Sequence, residues 1–435
     1  MDCSKYIAVI QAGGKGTRMV ELTKDLIPKP MLEMNGKPMI QWQIENLRKY
    51  GFDEFVIIVG HLGNVIKDYF GDGDKLGVKI KYIEETEPLG SAGALYYLKN
   101  LGYEQRDIAL IFGDVMFDIN WSRMVAFHEE KRAHATLFAH PNEHPYDSDV
   151  LLVDSDNVLT GQLSKKEPRS GDYHNLVNAG LYIINSEIIE KITEPAKTDL
   201  EKDLLFPFIS SGHIYAYISP EYVKDAGTPE RFRQVSDAQK RGIWTQRNLE
   251  NKQKCIFIDR DGTINKYDGL IDRPEKLVLE DGAAQAIRKM HDMGYLVIVI
   301  TNQPVVARGM CSIEDVEEIH KHLEVLLGEQ GAYVDDIYYC PHHPDKGYPE
   351  ENPIYKVECN CRKPKTGLID KAVAKYNIDL SQSYMIGDSW RDIETGINAN
   401  VKTILVETGE GLGSHDSVPD FTGENLVEAL SFIVC

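Results

Sequence analysis

Short chemical motifs follow apolar runs in both halves of the chain. Residues 11–19 read QAGGKGTRM; glycines let backbone N–H groups turn toward an anion, and the Lys and Arg add positive charge. Such a loop can hold phosphate, although an ordinary strand-to-helix turn has similar glycines. Residues 259–263 read DRDGT, and two carboxylates two positions apart at a strand end point the same way. That pair suits a Mg²⁺-assisted nucleophile with its acid/base, a structural turn, or chance.

The cysteines suggest a metal site rather than disulfides. Seven cysteines are an odd number and are unevenly placed, which does not fit a disulfide framework. Three of them cluster beside histidine as C-P-H-H and C-N-C, and three thiolates with one imidazole suit a closed tetrahedral Zn²⁺ site. His343 is an alternative to His342 as the nitrogen ligand. The candidate ligands are Cys340, His342, Cys359 and Cys361.

The elements that position these motifs alternate along the chain. Short apolar runs and amphipathic stretches follow one another in both halves, which predicts strands and helices of α/β domains. Between residues 135 and 218 the runs are closer together, which indicates an antiparallel or mixed layer at one end of the first sheet. A polar stretch without a clear strand separates the halves. The predicted organisation is two tandem Rossmann-like α/β domains, residues 1–240 and 254–435, joined by a linker at residues 241–253.

Length and charge exclude some classes of function for this chain. A chain of 435 residues fits two or three domains. Its net charge of −20 repels polyanions, so we expect no nucleic-acid partner. No apolar run is long enough to span a bilayer, and the N-terminus has no secretory pattern, so we expect a cytoplasmic protein without a membrane partner. The oligomeric state is left open, a homo-oligomer included.

Several motifs in the first half occur together in one known family. The loop AGGKGTRM followed by P-K-P at residues 28–30 resembles the signature of sugar-1-phosphate nucleotidyltransferases, including GDP-heptose and GDP-mannose pyrophosphorylases. The segments ETEPLGSAG at 85–93, G-D at 113–114 and DAGTPE at 225–230 also match. The resemblance implies a mixed central sheet and attack of a sugar 1-phosphate on the α-phosphorus of a nucleoside triphosphate, releasing pyrophosphate.

The resemblance also assigns roles to residues. Arg18 and Lys29 would act on the phosphates, and Asp114 and Asp225 would bind Mg²⁺. Glu85 would read the base; because a carboxylate only accepts hydrogen bonds, it suits the adjacent N–H donors of guanine and favours GTP. The other implied nucleotide contacts are Gly13, Gly14, Lys15, Gly16, Thr17, Gly90 and Ser91. The implied sugar-phosphate contacts are Asn178, Gly180 and either Lys165 or Lys166, because K-K-E-P replaces the family's E-K-P.

Four motifs in the second half resemble the haloacid dehalogenase (HAD) superfamily of phosphohydrolases. They are DRDGT, T-N-Q at 301–303, R-K-P at 362–364 and GDSWRD at 387–392, in that order. The cysteine cluster resembles the zinc loop of a subgroup with a minimal cap, the D,D-heptose 1,7-bisphosphate and histidinol phosphatases. Pro304 and Val305 depart from the small residues usual after T-N-Q, which implies a different substrate shape.

This second resemblance implies an aspartyl-phosphate mechanism. Asp259 would attack phosphorus, and Asp261 would protonate the leaving alcohol and then activate water. Mg²⁺ would be held by Asp259, Asp261 through its carbonyl, Asp388 and Asp392. The phosphate and substrate contacts would be Thr301, Asn302, Arg362 and Lys363. The resemblance favours His342 over His343 in the structural Zn²⁺ site.

The fusion predicts a two-step function on small-molecule substrates. A phosphatase that removes the 7-phosphate of D-glycero-D-manno-heptose 1,7-bisphosphate would supply the 1-phosphate that the transferase activates to GDP-heptose, for a surface polysaccharide such as lipopolysaccharide or capsule. The alternative is a histidinol-phosphate-type phosphatase fused to a mannose-1-phosphate guanylyltransferase-like or non-catalytic regulatory domain.

Overall fold

The computed structural model of the chain describes residues 3–14, 16–347 and 350–433. The predicted nucleotide contact Lys15 lies outside these residues. The chain divides into two compact units. The first takes in the chain up to residue 140 with residues 151–163 and 178–248, and the second takes in residues 141–150 and 164–177 with the chain from residue 249 onward.

The first unit is built on a mixed sheet. The strands in the first half of the chain are β1 Ile7–Gln11, β2 Glu33–Met34, β3 Lys37–Pro38, β4 Glu54–Val59, β5 Lys79–Glu84, β6 Ile108–Phe112, β7 Val115–Asp118, β8 Ala135–His140, β9 Val150–Val153, β10 Leu159–Leu163, β11 Val177–Ile184, β12 Ile214–Ile218 and β13 Tyr222–Asp225. The sheet has nine strands, with the order β10-β9-β11-β6-β1-β4-β5 and with β8 joining β11 to β12. β1 is parallel to β4 and β6, whereas β11 is antiparallel to β6.

Helices cover this sheet. They are α1 Val20–Thr23, α2 Met39–Lys49, α3 Gly63–Phe70, α4 Trp121–Lys131, α5 Ser186–Ile189, α6 Pro229–Lys240 and α7 Ile243–Arg247. The apolar residues of β1 are fully buried, as expected for a central parallel strand covered on both faces. The predicted linker, residues 241–253, contains α7, in which Trp244 stacks on Tyr222 and meets Trp42 edge-on.

The second unit has a fully parallel sheet. Its strands are β14 Cys255–Ile258, β15 Leu296–Asn302, β16 Asp336–Cys340, β17 Tyr384–Gly387, β18 Lys402–Val406 and β19 Phe421–Gly423, and its helices are α8 Ala283–Asp292, α9 Ile313–Glu329, α10 Gly367–Tyr376, α11 Trp390–Asn398 and α12 Leu426–Ala429. The strand order is β16-β15-β14-β17-β18-β19. The direction of connection therefore reverses at β14, and such a switch point opens a crevice at the carboxyl ends of the strands.

The prediction of two α/β units, the first with a mixed sheet, is confirmed. No helix in the described part of the chain is long and apolar enough to cross a membrane.

Two candidate active sites

The glycine loop of the first unit lies against the predicted base reader. A side-chain carbon at Gly13 would lie 2.1 Å from Oε2 of Glu85, so a larger residue there would displace the Glu85 carboxylate. Glu85 is fixed because its backbone N–H donates to Val59 and its Oε1 accepts from the N–H of Leu89. Burial raises the pKa of Glu85, and the Leu89 contact partly opposes this. The loop and a half-buried carboxylate thus share one end of the sheet.

The same loop also approaches the predicted phosphate-binding lysine. Gly16 has φ +59°, and a side-chain carbon there would lie 3.0 Å from Cβ of Lys29. Gly14, Thr17 and Arg18 of the loop are exposed, so they are open to a ligand that arrives from solvent. Gly90 and Ser91 lie in the segment after Glu85, where Gln11 donates to the Gly90 carbonyl and the Ser91 hydroxyl accepts from the N–H of Leu200.

The two predicted metal-binding aspartates are brought together by an antiparallel strand pair. β13 pairs with β7 so that Asp225 lies opposite Val115, and the N–H of Ala226 donates to the Asp114 carbonyl at 2.9 Å. Each carboxylate contacts a cation: Lys29 Nζ lies 2.6 Å from Asp114, and Arg231 lies 2.7 Å from Asp225. Lys29 itself is buried. The pair of carboxylates could hold a divalent cation.

Arg231 was absent from the sequence prediction. It stands in the first turn of α6, six residues after Asp225. The sequence signal was the continuation of DAGTPE into a helix, which returns this side chain toward the end of β13.

The predicted sugar contact Asn178 is engaged within the protein. Its Oδ1 accepts from the N–H of Gly180, and its Nδ2 donates to the hydroxyl of Tyr182 at 2.9 Å and to Glu201 at 3.1 Å. Gly180 has φ +76°. The sequence analysis missed Tyr182 and Glu201, whose hydroxyl and carboxylate also contact each other. The observed geometry fits a role in which Asn178 positions the Gly180 backbone.

The two candidate sugar-phosphate lysines are both exposed. Lys165 and Lys166 belong to the segment 164–177 of the second unit. Their backbone N–H groups donate to Asp149 and Ser164. Because neither contact concerns the ammonium groups, the choice between them stays a prediction.

Three carboxylates of the second unit converge at the switch point. Asp259 follows β14, Asp388 follows β17 and Asp392 lies in the first turn of α11; their oxygens lie within 4.8 Å of one another, and all three residues are buried. Lys363 bridges two of them, at 2.8 Å from Asp259 and 2.5 Å from Asp392. Buried oxygen ligands of this number are suited to Mg²⁺. One cation among three acids leaves excess negative charge.

This crowding shifts the pKa of several groups. Burial, followed by repulsion from Asp392, raises the pKa of Asp259 to about 8. The same two causes raise the pKa of Asp388 to about 7. Burial opposes the charge on Lys363, but Asp259 and Asp392 outweigh it and raise its pKa. The site therefore favours a bound cation.

Two of the four predicted phosphate contacts are joined by hydrogen bonds, and one of them, Lys363, contacts Asp259. Asn302 and Lys363 exchange two hydrogen bonds, the side-chain amide of one with the backbone of the other. Thr301 is buried at the end of β15 and accepts from Gln303. Val305, one of the two residues that depart from the small residues usual after T-N-Q, is fully buried in a small cluster with Val306 and Val316, and its effect on substrate shape stays a prediction.

The cysteine cluster forms one compact set of ligand atoms. The sulfurs of Cys361 and Cys340 are 3.3 Å apart, those of Cys361 and Cys359 are also 3.3 Å apart, and Nδ1 of His342 lies 3.3 Å from the sulfur of Cys361. Tetrahedral bonds of about 2.3 Å require separations of roughly 3.7 Å, so a small expansion would admit Zn²⁺. His343 is not in the set: its Nδ1 accepts from the N–H of Asp345.

Each half therefore presents an α/β fold with acidic and basic side chains brought together at the ends of its strands. Residues 7–242 match the family model "Nucleotidyl transferase", and residues 360–430 match the HAD-hydrolase-like model. The chain is 38% identical over 177 residues to the D-glycero-beta-D-manno-heptose-1,7-bisphosphate 7-phosphatase of Haemophilus influenzae, over 40% of this chain and 94% of the relative. The chain belongs to the nucleotidyl transferase family and, in its second half, to the family of these phosphatases; it is a nucleotidyltransferase and a phosphatase in one chain.

Solved structures resemble each half. HddC from Yersinia pseudotuberculosis is 24% identical, covers 54% of this chain and 99% of its own, and has a TM-score of 0.47. The D,D-heptose 1,7-bisphosphate phosphatase of B. bronchiseptica is 30% identical, covers 42% of this chain and 98% of its own, and has a TM-score of 0.36.

Proposed function

We propose that this enzyme makes a GDP-heptose in two steps. The second half, residues 254–435, hydrolyses the 7-phosphate of D-glycero-D-manno-heptose 1,7-bisphosphate, and the first half, residues 1–240, transfers GMP from GTP to the resulting heptose 1-phosphate. The observation that supports this proposal is that one chain joins a nucleotidyl transferase to a phosphatase that is 38% identical to a heptose-1,7-bisphosphate 7-phosphatase. The product of such a phosphatase has the anomeric phosphate that the transferase requires.

The phosphatase step is a double displacement on Asp259. A carboxylate oxygen of Asp259 forms a bond to phosphorus while the bond from phosphorus to the sugar oxygen breaks, and Asp261 gives that oxygen a proton. Asp261 then takes a proton from water, whose oxygen attacks the aspartyl-phosphate and releases phosphate. Lys363, at 2.8 Å from Asp259, lowers the repulsion between this carboxylate and the incoming phosphate. Mg²⁺ held by Asp259, Asp388 and Asp392 would supply further charge neutralisation.

Nucleotidyl transfer depends on position and charge. An oxygen of the sugar phosphate attacks the α-phosphorus, and pyrophosphate leaves. Arg18 and Lys29 would offset the phosphate charges, and Mg²⁺ held by Asp114 and Asp225 would neutralise the remainder. In the structure Lys29 contacts Asp114 and Arg231 contacts Asp225. These two side-chain cations reduce the repulsion between the two carboxylates.

The direct test supplies purified enzyme with the heptose bisphosphate, GTP and Mg²⁺. Equal amounts of phosphate, pyrophosphate and GDP-heptose are expected, measured by phosphorus NMR and mass spectrometry. Release of phosphate from histidinol phosphate, but not from the bisphosphate, would contradict the proposal and support the alternative substrate.

Mg²⁺ binding to the phosphatase site is expected to strengthen as pH rises from 6 to 8. The pKa values of Asp259 and Asp388, about 8 and 7, mean that these carboxyls hold protons at low pH, and Mg²⁺ must displace them. The apparent affinity should rise by about tenfold per pH unit for each proton released. Calorimetric titrations with Mg²⁺ at several pH values measure this, and an affinity independent of pH would contradict it.

The cysteine set is expected to hold one zinc ion per chain. Cys361→Ser should lose the metal and lower the thermal midpoint of the second unit by several degrees, because binding energy of a structural Zn²⁺ contributes to folding. Elemental mass spectrometry and differential scanning calorimetry measure the two effects. Cys311→Ser is the matched control, since Cys311 is a cysteine outside the cluster. Full zinc content in Cys361→Ser would contradict the assignment.

Glu85 is expected to set the preference for GTP. In Glu85→Gln one acceptor becomes an N–H₂ donor that faces the donors of guanine, so kcat/KM for GTP should fall by about 10- to 100-fold. Glu84→Gln is the control, because Glu84 lies on the opposite side of the strand and contacts Lys67. Initial rates with GTP, CTP, UTP and dTTP measure the effect, and an unchanged order of preference would show that other groups read the base.

A further inference from the structure

The predicted acid/base Asp261 is held by side chains to which the sequence motifs assigned no role. Arg260 donates to both of its oxygens, from Nε at 3.0 Å and from a terminal nitrogen at 2.9 Å. Gln303 donates from Nε2 to Oδ2 of Asp261 at 2.9 Å. Asn265 adds a longer contact to Oδ1 at 3.2 Å. The Asp261 carboxylate thus receives four hydrogen bonds in one orientation.

The two main donors also hold each other. The terminal nitrogen of Arg260 that contacts Asp261 also donates to Oε1 of Gln303 at 2.9 Å, and Nε2 of Gln303 donates to the hydroxyl of Thr301. Both side-chain polar atoms of Gln303 are therefore engaged, which fixes the orientation of its amide. Arg260 is 0% exposed and Gln303 is 1% exposed. A buried guanidinium is costly unless it is paired. The contacts with Asp261 and Gln303 are therefore what stabilises Arg260 in this position.

The orientation separates the side chain of Asp261 from the carboxylates that could hold a metal. Within the described residues, the metal-ligand group comprises Asp259, Asp388 and Asp392 and does not include Asp261. The Asp261 side chain keeps 22% of its surface exposed, although its partner Arg260 is buried. The backbone N–H of Arg260 meanwhile donates to Oδ1 of Asp259 at 2.7 Å. One residue therefore contacts both the nucleophile and the acid.

We propose that Arg260 and Gln303 are positioning residues that present Asp261 to the leaving oxygen of the substrate. The inference rests on the phosphatase reaction proposed above. For this step one oxygen of Asp261 carries a proton in place of one of its four donated hydrogen bonds. As the phosphorus–oxygen bond breaks, its electron pair takes that proton, and the carboxylate so formed regains the contact and is stabilised by the guanidinium. The same fixed carboxylate then accepts a proton from the attacking water. General acid catalysis of this kind contributes about 10²- to 10⁴-fold.

Leaving groups of different basicity test this role. An alkyl phosphate needs a proton on its leaving oxygen, whereas p-nitrophenyl phosphate leaves as a stable anion. In Gln303→Met and Arg260→Lys, kcat/KM for an alkyl phosphate should fall by about 10²-fold, with a clearly smaller fall for p-nitrophenyl phosphate. The ratio kcat/KM is used because it reports the steps through the first phosphoryl transfer and excludes later hydrolysis.

Controls separate positioning from structural damage. Asp261→Asn should show the same dependence on the leaving group, and Gln285→Met, an exposed glutamine on α8, should show none. Thermal midpoints identify variants that fold poorly, and the comparison is then made with the milder Gln303→Asn. An equal fall for all esters, with an unchanged dependence on leaving-group pKa, would overturn the proposal. A wild-type enzyme that hydrolyses these esters but not the heptose bisphosphate would contradict the proposed substrate and leave this test intact.

Discussion

Asp259→Asn is expected to abolish phosphatase activity, with a loss of at least about 10³-fold, and to leave nucleotidyl transfer from added heptose 1-phosphate at the wild-type rate. The amide is a poor nucleophile and cannot form the acyl-phosphate. It also removes one of the three charges that converge at the switch point. The neighbouring carboxylates of Asp388 and Asp392 share this site, and we expect them to act as metal ligands and not to replace the nucleophile.

The coupled assay makes this result decisive for the order of steps. With the heptose bisphosphate, GTP and Mg²⁺, Asp259→Asn should release neither phosphate nor pyrophosphate, although adding heptose 1-phosphate should restore the nucleotide sugar. Asp281→Asn, an exposed aspartate of the second unit, is the matched control and should behave as wild type. If Asp259→Asn still produced GDP-heptose from the bisphosphate, the transferase would not depend on the phosphatase product, and the proposed order would be wrong.

Asp225→Asn should have the opposite phenotype. Loss of one of two carboxylates for Mg²⁺ is expected to reduce nucleotidyl transfer by about 10²-fold or more, since charge neutralisation carries most of this reaction. Phosphate release should continue, so that heptose 1-phosphate accumulates and is seen by phosphorus NMR. The variant also leaves Arg231, at 2.7 Å from Asp225, without its anionic partner.

A surface aspartate provides the comparison for this second variant. Asp68→Asn, on the exposed side of α3, should retain both activities. Titration with Mn²⁺, followed by electron paramagnetic resonance in the presence of GTP, should show weaker binding in Asp225→Asn than in Asp68→Asn. Normal transfer by Asp225→Asn would remove this residue from the metal site and leave Asp114 to be tested alone.

Much of the fold followed from local patterns. Apolar runs of strand length ending in glycine or aspartate predicted parallel strands, and the carboxyl ends of such strands share one edge. That rule is sufficient to bring residues as distant as Asp259 and Asp388 together. It does not specify the antiparallel pairing of β7 with β13, which places Asp225 beside Asp114, because pairing between distant strands depends on the whole sheet.

Other partners lie outside the motifs, or belong to a motif that assigns them no role. Arg231 at Asp225 and Glu201 at Asn178 are ordinary residue types on helical segments, and nothing in their spacing distinguishes them from solvated side chains. Gln303 was read only as part of T-N-Q. Its contact with Asp261 depends on how β15 lies next to β14.

By itself, the sequence determined which chemical groups this protein has and which strand ends carry them, because motifs and apolar runs are local in the chain. Only the tertiary structure decided the partner of each group: Arg231 beside Asp225, Glu201 beside Asn178, and Arg260 with Gln303 around Asp261. The physical reason is burial. A buried charged or polar side chain must find a partner, and in a folded chain that partner comes from whichever element packs against it.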